Sequence, residues 1–441
     1  MSKFAPVSAS SANITCFCGF AIVAILTEIL GRRKSLIILN IPVLASWIVV
    51  FFAKDMVTLL LSRIVLGVSY GGVLMLTYIC VGEYSSPNIR SLCLNLIASV
   101  GSLIGTGLGH MLSLLVHWRT VALIGVVPSS LAVAVPYFWV ESPAWLASKG
   151  RFEECTRAFH ALHVTNDVTK EELSLLIATE RNNQRKIRKH RFELMLIISK
   201  ISFAIKHKYF WRISILNTVV NIYRVAGGRV LFSTLAITIL KDITGDADIL
   251  KETLFVDIFF ILGALMSCAL VKRFKTRKLL FTSGIAANIL LVILTLVIYL
   301  HPGKDDKFNW IKVTLFAVYF ITMMAGPYAV LETLLIEIIP LSIKSFFIFF
   351  FGAVIGVFQF MAVKFVPNMV NTMGYHGIFS VNATIVFLCL AYLWFKLPET
   401  KGKSLEEIEN YFKDDRLTSM SSKLGTDECG YGMLSTTATK Q

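Results

Sequence analysis

The chain alternates long apolar runs with short polar connections, and one long polar stretch divides the runs into two groups. A helix needs about 20 mostly apolar residues to cross a bilayer. Runs of about that length occupy residues 14–30, 35–52, 57–81, 92–116 and 121–140 before the polar stretch, and 213–240, 254–271, 279–300, 313–339, 346–366 and 378–395 after it. The pattern predicts an all-α, multi-pass membrane protein with about 11 spans.

The polar stretch also predicts the domain organisation. We expect an N-terminal membrane bundle in residues 1–140, a cytoplasmic linker in 141–212, a C-terminal membrane bundle in 213–396 and a largely disordered cytoplasmic tail in 397–441. Residues 152–162 and 170–181 of the linker have the pattern of short amphipathic helices. The basic run 185–191 has two interpretations: it binds anionic lipid head groups, or it only fixes the topology.

Composition and charge support a membrane protein. Hydrophobic residues make up 55% of the chain and charged residues 16%, whereas soluble domains carry about 25% charged residues. A water-soluble enzyme is therefore not expected. The net charge of +15 comes from Lys and Arg that lie mostly in connections on the same side as residues 31–34. This asymmetry predicts that side, and the C-terminus, to be cytoplasmic, and it favours a bilayer rather than nucleic acid as the partner.

The sequence shows no pattern typical of a catalytic or metal site. The eight cysteines form no CxxC pair and no Cys/His cluster, so we expect neither a disulfide framework nor a metal. No Ser/His/Asp arrangement or phosphate-binding loop is apparent, so we expect no enzyme and no cofactor.

The two groups of runs share a weak internal repeat. Arg33 and Lys34 follow the first run as Arg277 and Lys278 follow a run in the second group. The acid–base spacing of Glu83 and Arg90 recurs in Glu337 and Lys344. Duplicated membrane halves are typical of secondary transporters, whose substrate site lies between the halves near the bilayer midplane. The fourth run also carries Gly101, Gly105 and Gly109 at four-residue spacing, a pattern that favours close helix packing.

Five motifs carry a resemblance to a known family: GRRK at 31–34, Arg63-x-x-x-Gly67, Glu83-x-x-x-Pro87-x-x-Arg90, ESPAWL at 141–146 and PETKG at 398–402. On these residues the chain resembles the sugar-porter branch of the major facilitator superfamily, and especially insect facilitated trehalose and glucose transporters. The resemblance implies two pseudo-symmetric bundles in the plasma membrane that move a hexose or trehalose down its gradient by alternating access. The first match falls on the second of the family's twelve helices, so we expect the first helix to be missing.

The resemblance also implies a cytoplasmic gate. In the family, charged residues at the cytoplasmic helix ends form a latch, and here Glu83, Arg90, Glu141, Arg277 and Glu337 are expected to pair across the two halves. The full set of gate candidates is Glu28, Arg32, Arg33, Arg63, Glu83, Arg90, Glu141, Arg277 and Glu337. The alternative is that these residues satisfy helix ends and fix the topology. For Arg63 we expect a carboxylate partner or the cytoplasmic boundary, because an unpaired arginine in hydrocarbon costs at least about 2.5 kcal/mol.

The substrate cavity departs from the family pattern. The glutamines that the family places in the helices at 92–116 and 213–240 are absent, and Glu332 stands where the family has a cavity tryptophan. The cavity candidates are Asn95, Tyr223, Arg224, Arg229, Glu332 and Gln359. Three interpretations stay open for the ionisable ones: the arginines bind an anionic substrate, an arginine neutralises Glu332 and plugs the cavity, or the arginines line an unspecific vestibule. Gln359 is either a substrate contact or a hydrogen bond between helices.

The sequence therefore predicts a transporter of a small solute, and the resemblance implies that this solute is a sugar. The rival hypotheses are a carrier of an anionic solute and a family member without transport that senses a solute or binds a partner. The pattern indicates neither a coupling ion nor an oligomeric state.

Overall fold

The structure, a computed structural model, describes residues 5–85, 87–162, 167–189, 208–245, 249–301, 306–337, 344–399 and 401. Every regular element in those ranges is a helix. In chain order the α-helices are α1 (Ala5–Leu30), α2 (Arg32–Phe52), α3 (Met56–Tyr84), α4 (Pro87–Asn95), α5 (Ser102–Leu115), α6 (Trp118–Ala134), α7 (Pro143–Ser148), α8 (Phe152–Leu162), α9 (Asp167–Lys189), α10 (Lys208–Ala226), α11 (Arg229–Thr244), α12 (Ile249–Arg273), α13 (Thr276–Leu300), α14 (Asp306–Met323), α15 (Ala329–Glu337) and α16 (Lys344–Lys396).

Nine stretches of helix in the described residues are long and apolar enough to cross a membrane. One of them, Val354–Lys396, is 43 residues long and is interrupted at Gly374, whose φ of 67° places it in the left-handed region. At that length it accounts for two spans, the ones expected at 346–366 and 378–395. The apolar helix α1 supplies the span expected at 14–30. The predicted all-α, multi-pass architecture is confirmed.

Two pairs of helices are joined by π-helical turns, and one span is broken. The π-helical segment Leu96–Gly101 connects α4 to α5, and Met324–Tyr328 connects α14 to α15. Between α10 and α11, Gly228 has φ 76° and ends the helix. The span predicted as continuous over 213–240 is therefore two helices, because a left-handed residue cannot continue a right-handed helix.

The first half of the molecule, α1 to α6, depends on a close contact between α1 and α3. A Cβ added at Gly19 would touch the backbone of Val68, and one added at Gly71 would touch the carbonyl of Cys16. By contrast, a Cβ at Gly105 or Gly109 would meet nothing within 4 Å. The expectation that the glycines of the fourth run mediate close packing is wrong, because Gly105 and Gly109 face open space among the described residues. The small residues that bring two backbones together lie in α1 and α3.

The second half of the molecule, α10 to α16, contains the larger hydrophobic core. Phe232 and Phe320 have ring centroids 4.6 Å apart, and Phe260 and Phe320 have the same separation. Phe232, Phe260 and Phe320 are all buried. These rings join α11, α12 and α14. Helix α11, which follows the break at Gly228, is therefore packed against α12 and α14.

A small helical unit follows the first half. Helices α7, α8 and α9 bury Trp145, Cys155, Phe159 and Leu173 against one another. Helix α8 has the bounds expected from the sequence, whereas the helix expected at 170–181 extends over Asp167–Lys189. The side chains of the basic run 185–191 and the tail from 402 lie outside the described residues, so the expectations for them stay predictions.

The contact between α1 and α3 generates a stability prediction. Gly71→Ala should destabilise the protein by about 1–3 kcal/mol, because the added methyl meets backbone atoms that cannot turn aside. Gly82→Ala on the same helix is the matched control, since a Cβ there meets nothing within 4 Å. The measurement is the midpoint of thermal unfolding in detergent, and equal midpoints for the two variants would contradict the packing described here.

Candidate functional site

The break between α10 and α11 positions two arginines near the middle of the molecule. Arg224 lies in the last turn of α10 and Arg229 is the first residue of α11. The hydroxyl of Tyr319 donates to the carbonyl of Gly227 at 3.0 Å and so satisfies an acceptor that the break leaves open. A small cavity lies beside the break and is lined in part by Gly227 and Gly228.

A π-helical turn positions the partner of these arginines. Pro327 lies within Met324–Tyr328 and cannot donate a backbone hydrogen bond, so the helix passes through it with a wider turn. The turn is followed by Glu332 in α15. Tyr328 and Glu332 are one helical turn apart and face the same two arginines.

Arg224, Arg229, Glu332 and Tyr328 form a central cluster. The Oε1 atom of Glu332 accepts from Arg224 at 3.2 Å and from Arg229 at 3.4 Å. Both guanidinium groups lie over the ring of Tyr328, 5.2 and 4.5 Å from its centroid. The three charged side chains are between 12% and 17% exposed. Pairing is required at this depth, because an uncompensated buried charge costs several kcal/mol.

The central cluster reaches across to the first half of the molecule. Ser99 donates to the Oε2 atom of Glu332 at 3.0 Å, and Arg229 donates to the hydroxyl of Ser102 at 2.5 Å. Tyr70 and Tyr78 of α3 lie close enough to interact electrostatically with the cluster. Two arginines share one glutamate, so one net positive charge remains. Both arginines contact Glu332, as the interpretation of a neutralised glutamate expects. That this pairing plugs the cavity stays a prediction, and the hydrogen bonds continue into the first half.

The other cavity candidates are placed differently. Asn95 donates to the hydroxyl of Ser267 at 2.7 Å and joins α4 to α12 across the two halves. Tyr223 is fully buried and its hydroxyl lies against Gly284 inside the second half. It is not a cavity residue, because neighbouring positions on a helix point about 100° apart and Arg224 faces the cluster. Gln359 is half-buried in α16 and takes no part in the contacts of the central cluster.

A buried His–Asp pair was missed from the sequence. His110 of α5 lies 2.9 Å from the Oδ2 atom of Asp257 in α12, and its other ring nitrogen lies 3.1 Å from the carbonyl of Ser233 in α11. The signal that could have found the pair is the presence of a lone histidine and a lone aspartate inside apolar runs, where ionisable residues are functional candidates by default.

The motif residues of the first half form one charge cluster at its end. Arg32 binds Glu83 through two nitrogens, at 2.8 and 2.6 Å. The carboxylate of Glu141 accepts from the backbone N–H groups of Arg32 and Arg33 at 2.8 and 3.2 Å. These N–H groups begin α2 and have no partner within the helix, so Glu141 caps the helix from a distant part of the chain.

A second cluster repeats this arrangement in the other half. Glu399 accepts from the backbone N–H groups of Thr276 and Arg277 at 3.0 and 3.2 Å, at the start of α13. Arg277 donates to the carbonyl of Trp394 at 2.8 Å, just as Arg33 donates to the carbonyl of Tyr137 at 2.6 Å. Glu399 is not among the predicted site residues, although it lies in the PETKG motif and contacts the predicted residue Arg277.

The pairing expected across the halves is not what the structure shows. Glu83, Glu141 and Arg277 each bind partners in their own half, because each motif folds back onto the helix ends of its own bundle. Glu28 binds Lys149 of the linker unit at 2.7 Å. The side chains of Arg90 and Glu337 are outside the described residues, so their pairing stays a prediction.

Arg63 does not belong to the cytoplasmic cluster. It lies near the beginning of α3, whereas Glu83 lies near the end of the same helix. At 1.5 Å per residue the two positions are about 30 Å apart along the helix axis. Arg63 is half-buried there. Its selection as a gate residue is wrong for this reason of distance.

Comparison with known proteins gives consistent relatives. A family model described as "Sugar (and other) transporter" matches residues 3–412. The chain is 25% identical over 429 residues to "Sugar transporter ERD6-like 6" of Arabidopsis thaliana, covering 92% of this chain and 82% of that protein. It is 24% identical over 387 residues to "Facilitated trehalose transporter Tret1" of Drosophila mojavensis, covering 87% of this chain but 43% of that protein.

The fold is shared with a solved transporter. The structure is similar to that of the proton:xylose symporter XylE from E. coli, with a TM-score of 0.74, 17% identity and coverage of 93% of this chain and 90% of that one. This likeness shows the fold of the major facilitator superfamily and confirms the predicted fold class. The relatives are named as transporters, in agreement with the prediction that the chain is not an enzyme.

The central cluster generates a prediction about charge compensation. Glu332→Gln should destabilise the protein by about 3–5 kcal/mol, because it leaves two buried arginines without a carboxylate. Adding Arg229→Gln to that variant should recover part of the loss. Thermal unfolding of the single and double variants in detergent checks this, and a double variant no more stable than Glu332→Gln would contradict the pairing.

The ion pairs Arg32–Glu83 and Lys149–Glu28 differ in burial and should differ in strength. Arg32→Gln should lower the unfolding midpoint clearly, because the Arg32–Glu83 pair is bidentate and at most 18% exposed. Lys149→Gln is the matched control, since its partner Glu28 is 69% exposed and such pairs contribute about 0–1 kcal/mol. The same scan compares both variants, and an equal effect of the two would show that burial does not decide their strength.

Proposed function

Because the chain belongs to the sugar (and other) transporter family, we propose that it carries a sugar across a membrane by facilitated diffusion through alternating access. The observation that carries this proposal is the match of the family model over residues 3–412. A hexose or trehalose is the proposed substrate class, in line with the relative named as a trehalose transporter.

The central cluster offers the chemistry that a sugar needs. A sugar hydroxyl both donates and accepts hydrogen bonds, so it is best held between acceptors and donors. Glu332 supplies carboxylate oxygens, while Arg224 and Arg229 supply N–H donors next to the hydroxyls of Ser99 and Ser102. Tyr328 adds an aromatic face. A sugar entering between the halves would replace the hydrogen bonds that Ser99 and Ser102 now make.

Alternating access requires that some contacts break while each half stays intact. The contacts that cross the halves include polar ones, such as those of Asn95 and Ser99. The capping carboxylates Glu141 and Glu399 hold helix ends within their own half. We propose that the two end clusters keep each bundle rigid as a gate framework, while the polar contacts between halves are exchanged during transport.

The charge of the central cluster supports a second candidate. Arg224 and Arg229 outnumber Glu332, and the Nε atom of Arg224 is buried without a hydrogen-bond partner among the described residues. An anionic solute such as a sugar acid could occupy this surplus donor. None of the observations favours a family member that has lost transport.

The chain is a multi-pass membrane protein. We propose that it lies in the plasma membrane, with residues 31–34 and the C-terminus on the cytoplasmic side, because most of the Lys and Arg residues lie in connections on that side.

Uptake of labelled solutes tests the proposed function. Oocytes that express the chain at the surface should show saturable uptake of glucose or trehalose, and Gly228→Trp should reduce it to background, because the large side chain enters the cavity beside the break and strains a left-handed residue. Gly105→Trp is the matched control, since position 105 is exposed and has nothing within 4 Å.

The outcomes separate the two substrates. Saturable uptake of glucuronate with no uptake of glucose or trehalose would overturn the sugar proposal in favour of the anionic solute. No uptake of any of the three by a protein present at the cell surface would overturn both.

A further inference from the structure

The pair of His110 and Asp257 joins the two halves at a buried position. The side chains are 10% and 4% exposed. His110 belongs to α5 of the first half, whereas Asp257 and Ser233 belong to α12 and α11 of the second half. The ring of Phe232 contacts the imidazole edge-on, with centroids 6.3 Å apart. The imidazole of α5 is therefore held by two helices of the second half and shielded from solvent.

The geometry requires one proton more than a neutral histidine beside an ionised aspartate can provide. The carbonyl of Ser233 is only an acceptor, and an ionised carboxylate is also only an acceptor. A neutral imidazole has a single N–H and could satisfy one of them. Both contacts are satisfied when the pair holds an added proton, either as an imidazolium facing a carboxylate or as a carboxylic acid facing an imidazole that donates to Ser233.

The surroundings favour this added proton. The Oδ1 atom of Asp257 is buried without a hydrogen-bond partner among the described residues, so a bare carboxylate would be poorly stabilised. Among the described residues, Asp257 and the carbonyl of Ser233 are the polar groups that contact the imidazole of His110.

Other charged residues on the neighbouring helices lie elsewhere. Arg229 of α11 binds the central cluster, Asp242 of α11 accepts from Tyr375, and Glu252 of α12 accepts from Thr244. Arg119 of α6 donates to the carbonyl of Ala53, and Lys312 of α14 lies 3.4 Å from the carbonyl of Ile243. The remaining charged residues of α11 and α12 are Lys241, Lys251, Lys272 and Arg273.

The pair lies toward the end of the molecule opposite the Arg32–Glu83 cluster. Helix α4 begins directly after α3 ends beside Glu83, and the chain then runs through the π-helical turn to the far end of α5. Asn95, Ser102 and His110 contact the second half at three successive levels along this path. His110 is the level farthest from the Arg32–Glu83 cluster.

We propose that His110 and Asp257 form a proton-binding site whose occupancy holds the two halves together at this end of the molecule. When the proton leaves to water, one of the two acceptors loses its donor. Loss of a buried hydrogen bond to a charged group should shift the equilibrium between contact and separation of α5 and α12 by about tenfold. The rate at which such a carrier transports its solute depends on pH. This consequence rests on the proposed function.

The test measures the separation of the two helices directly. Spin labels at Leu115→Cys and Lys251→Cys, near the adjoining ends of α5 and α12, report the distance in lipid nanodiscs on a background in which the native cysteines are replaced. The fraction with the longer distance should rise about tenfold between about pH 5.5 and pH 8.5. Each labelled sample serves as its own reference, because the same protein is measured at both pH values.

Substitutions identify the proton's site. His110→Asn and Asp257→Asn should each remove the pH response, whereas His117→Asn should retain it, because His117 is an exposed residue that precedes α6 and lies outside the pair. A response that is absent in the parent protein, or unchanged in both His110→Asn and Asp257→Asn, overturns the proposal.

Uptake by proteoliposomes of the unlabelled chain provides a second measurement that needs no cysteine replacement. The ratio of glucose uptake at about pH 5.5 to that at about pH 8.5 should differ from one in the parent and in His117→Asn, and should approach one in His110→Asn. A ratio that is the same in all three overturns the link to transport. If no solute is taken up, the proposed function fails, while the distance measurement still decides whether the pair binds a proton.

Discussion

The structure depends on the compensation of polar and charged groups at membrane depth. Hydrocarbon offers no hydrogen bonds, so every buried donor or charge must find its partner within the protein. Along α4 and α5 this need is met across the two halves, by Asn95 with Ser267, by Ser99 with Glu332 and by His110 with Asp257. These directional contacts set the register of the two halves, in addition to the packing of α1 against α16.

The ends of the two halves follow a different principle. Helices α2 and α13 each begin with backbone N–H groups that lack partners, and each receives a carboxylate from a remote segment, Glu141 in one half and Glu399 in the other. The negative charge also matches the positive end of the helix dipole. This shared geometry explains physically why acidic motif residues recur after the last helix of each half, and it ties the linker and the start of the tail to their own bundles.

Two interruptions of regular α-helix determine where the side chains of the central cluster lie. Gly228 interrupts one helix and Pro327 lies in a π-helical turn of another, so the side chains on either side are brought toward the seam between the halves. A straight helix in these places would turn Arg224 and Arg229 with the helical period and separate them from a shared partner. The backbone irregularities and the charges therefore form one arrangement, in which Glu332 compensates arginines that the break has brought together.

The amino-acid sequence was enough to predict the membrane class, the approximate positions of the spans, the two halves and the family, because apolar runs of bilayer length and motif residues are local properties of the chain. It also identified Arg224, Arg229 and Glu332 as unusual, because charges inside apolar runs are visible without a structure. Only the tertiary structure decided which residues pair. Glu83 and Glu141 remain within their own half, Tyr223 turns away from its neighbour, and His110 meets Asp257, because pairing depends on distances between segments far apart in the chain.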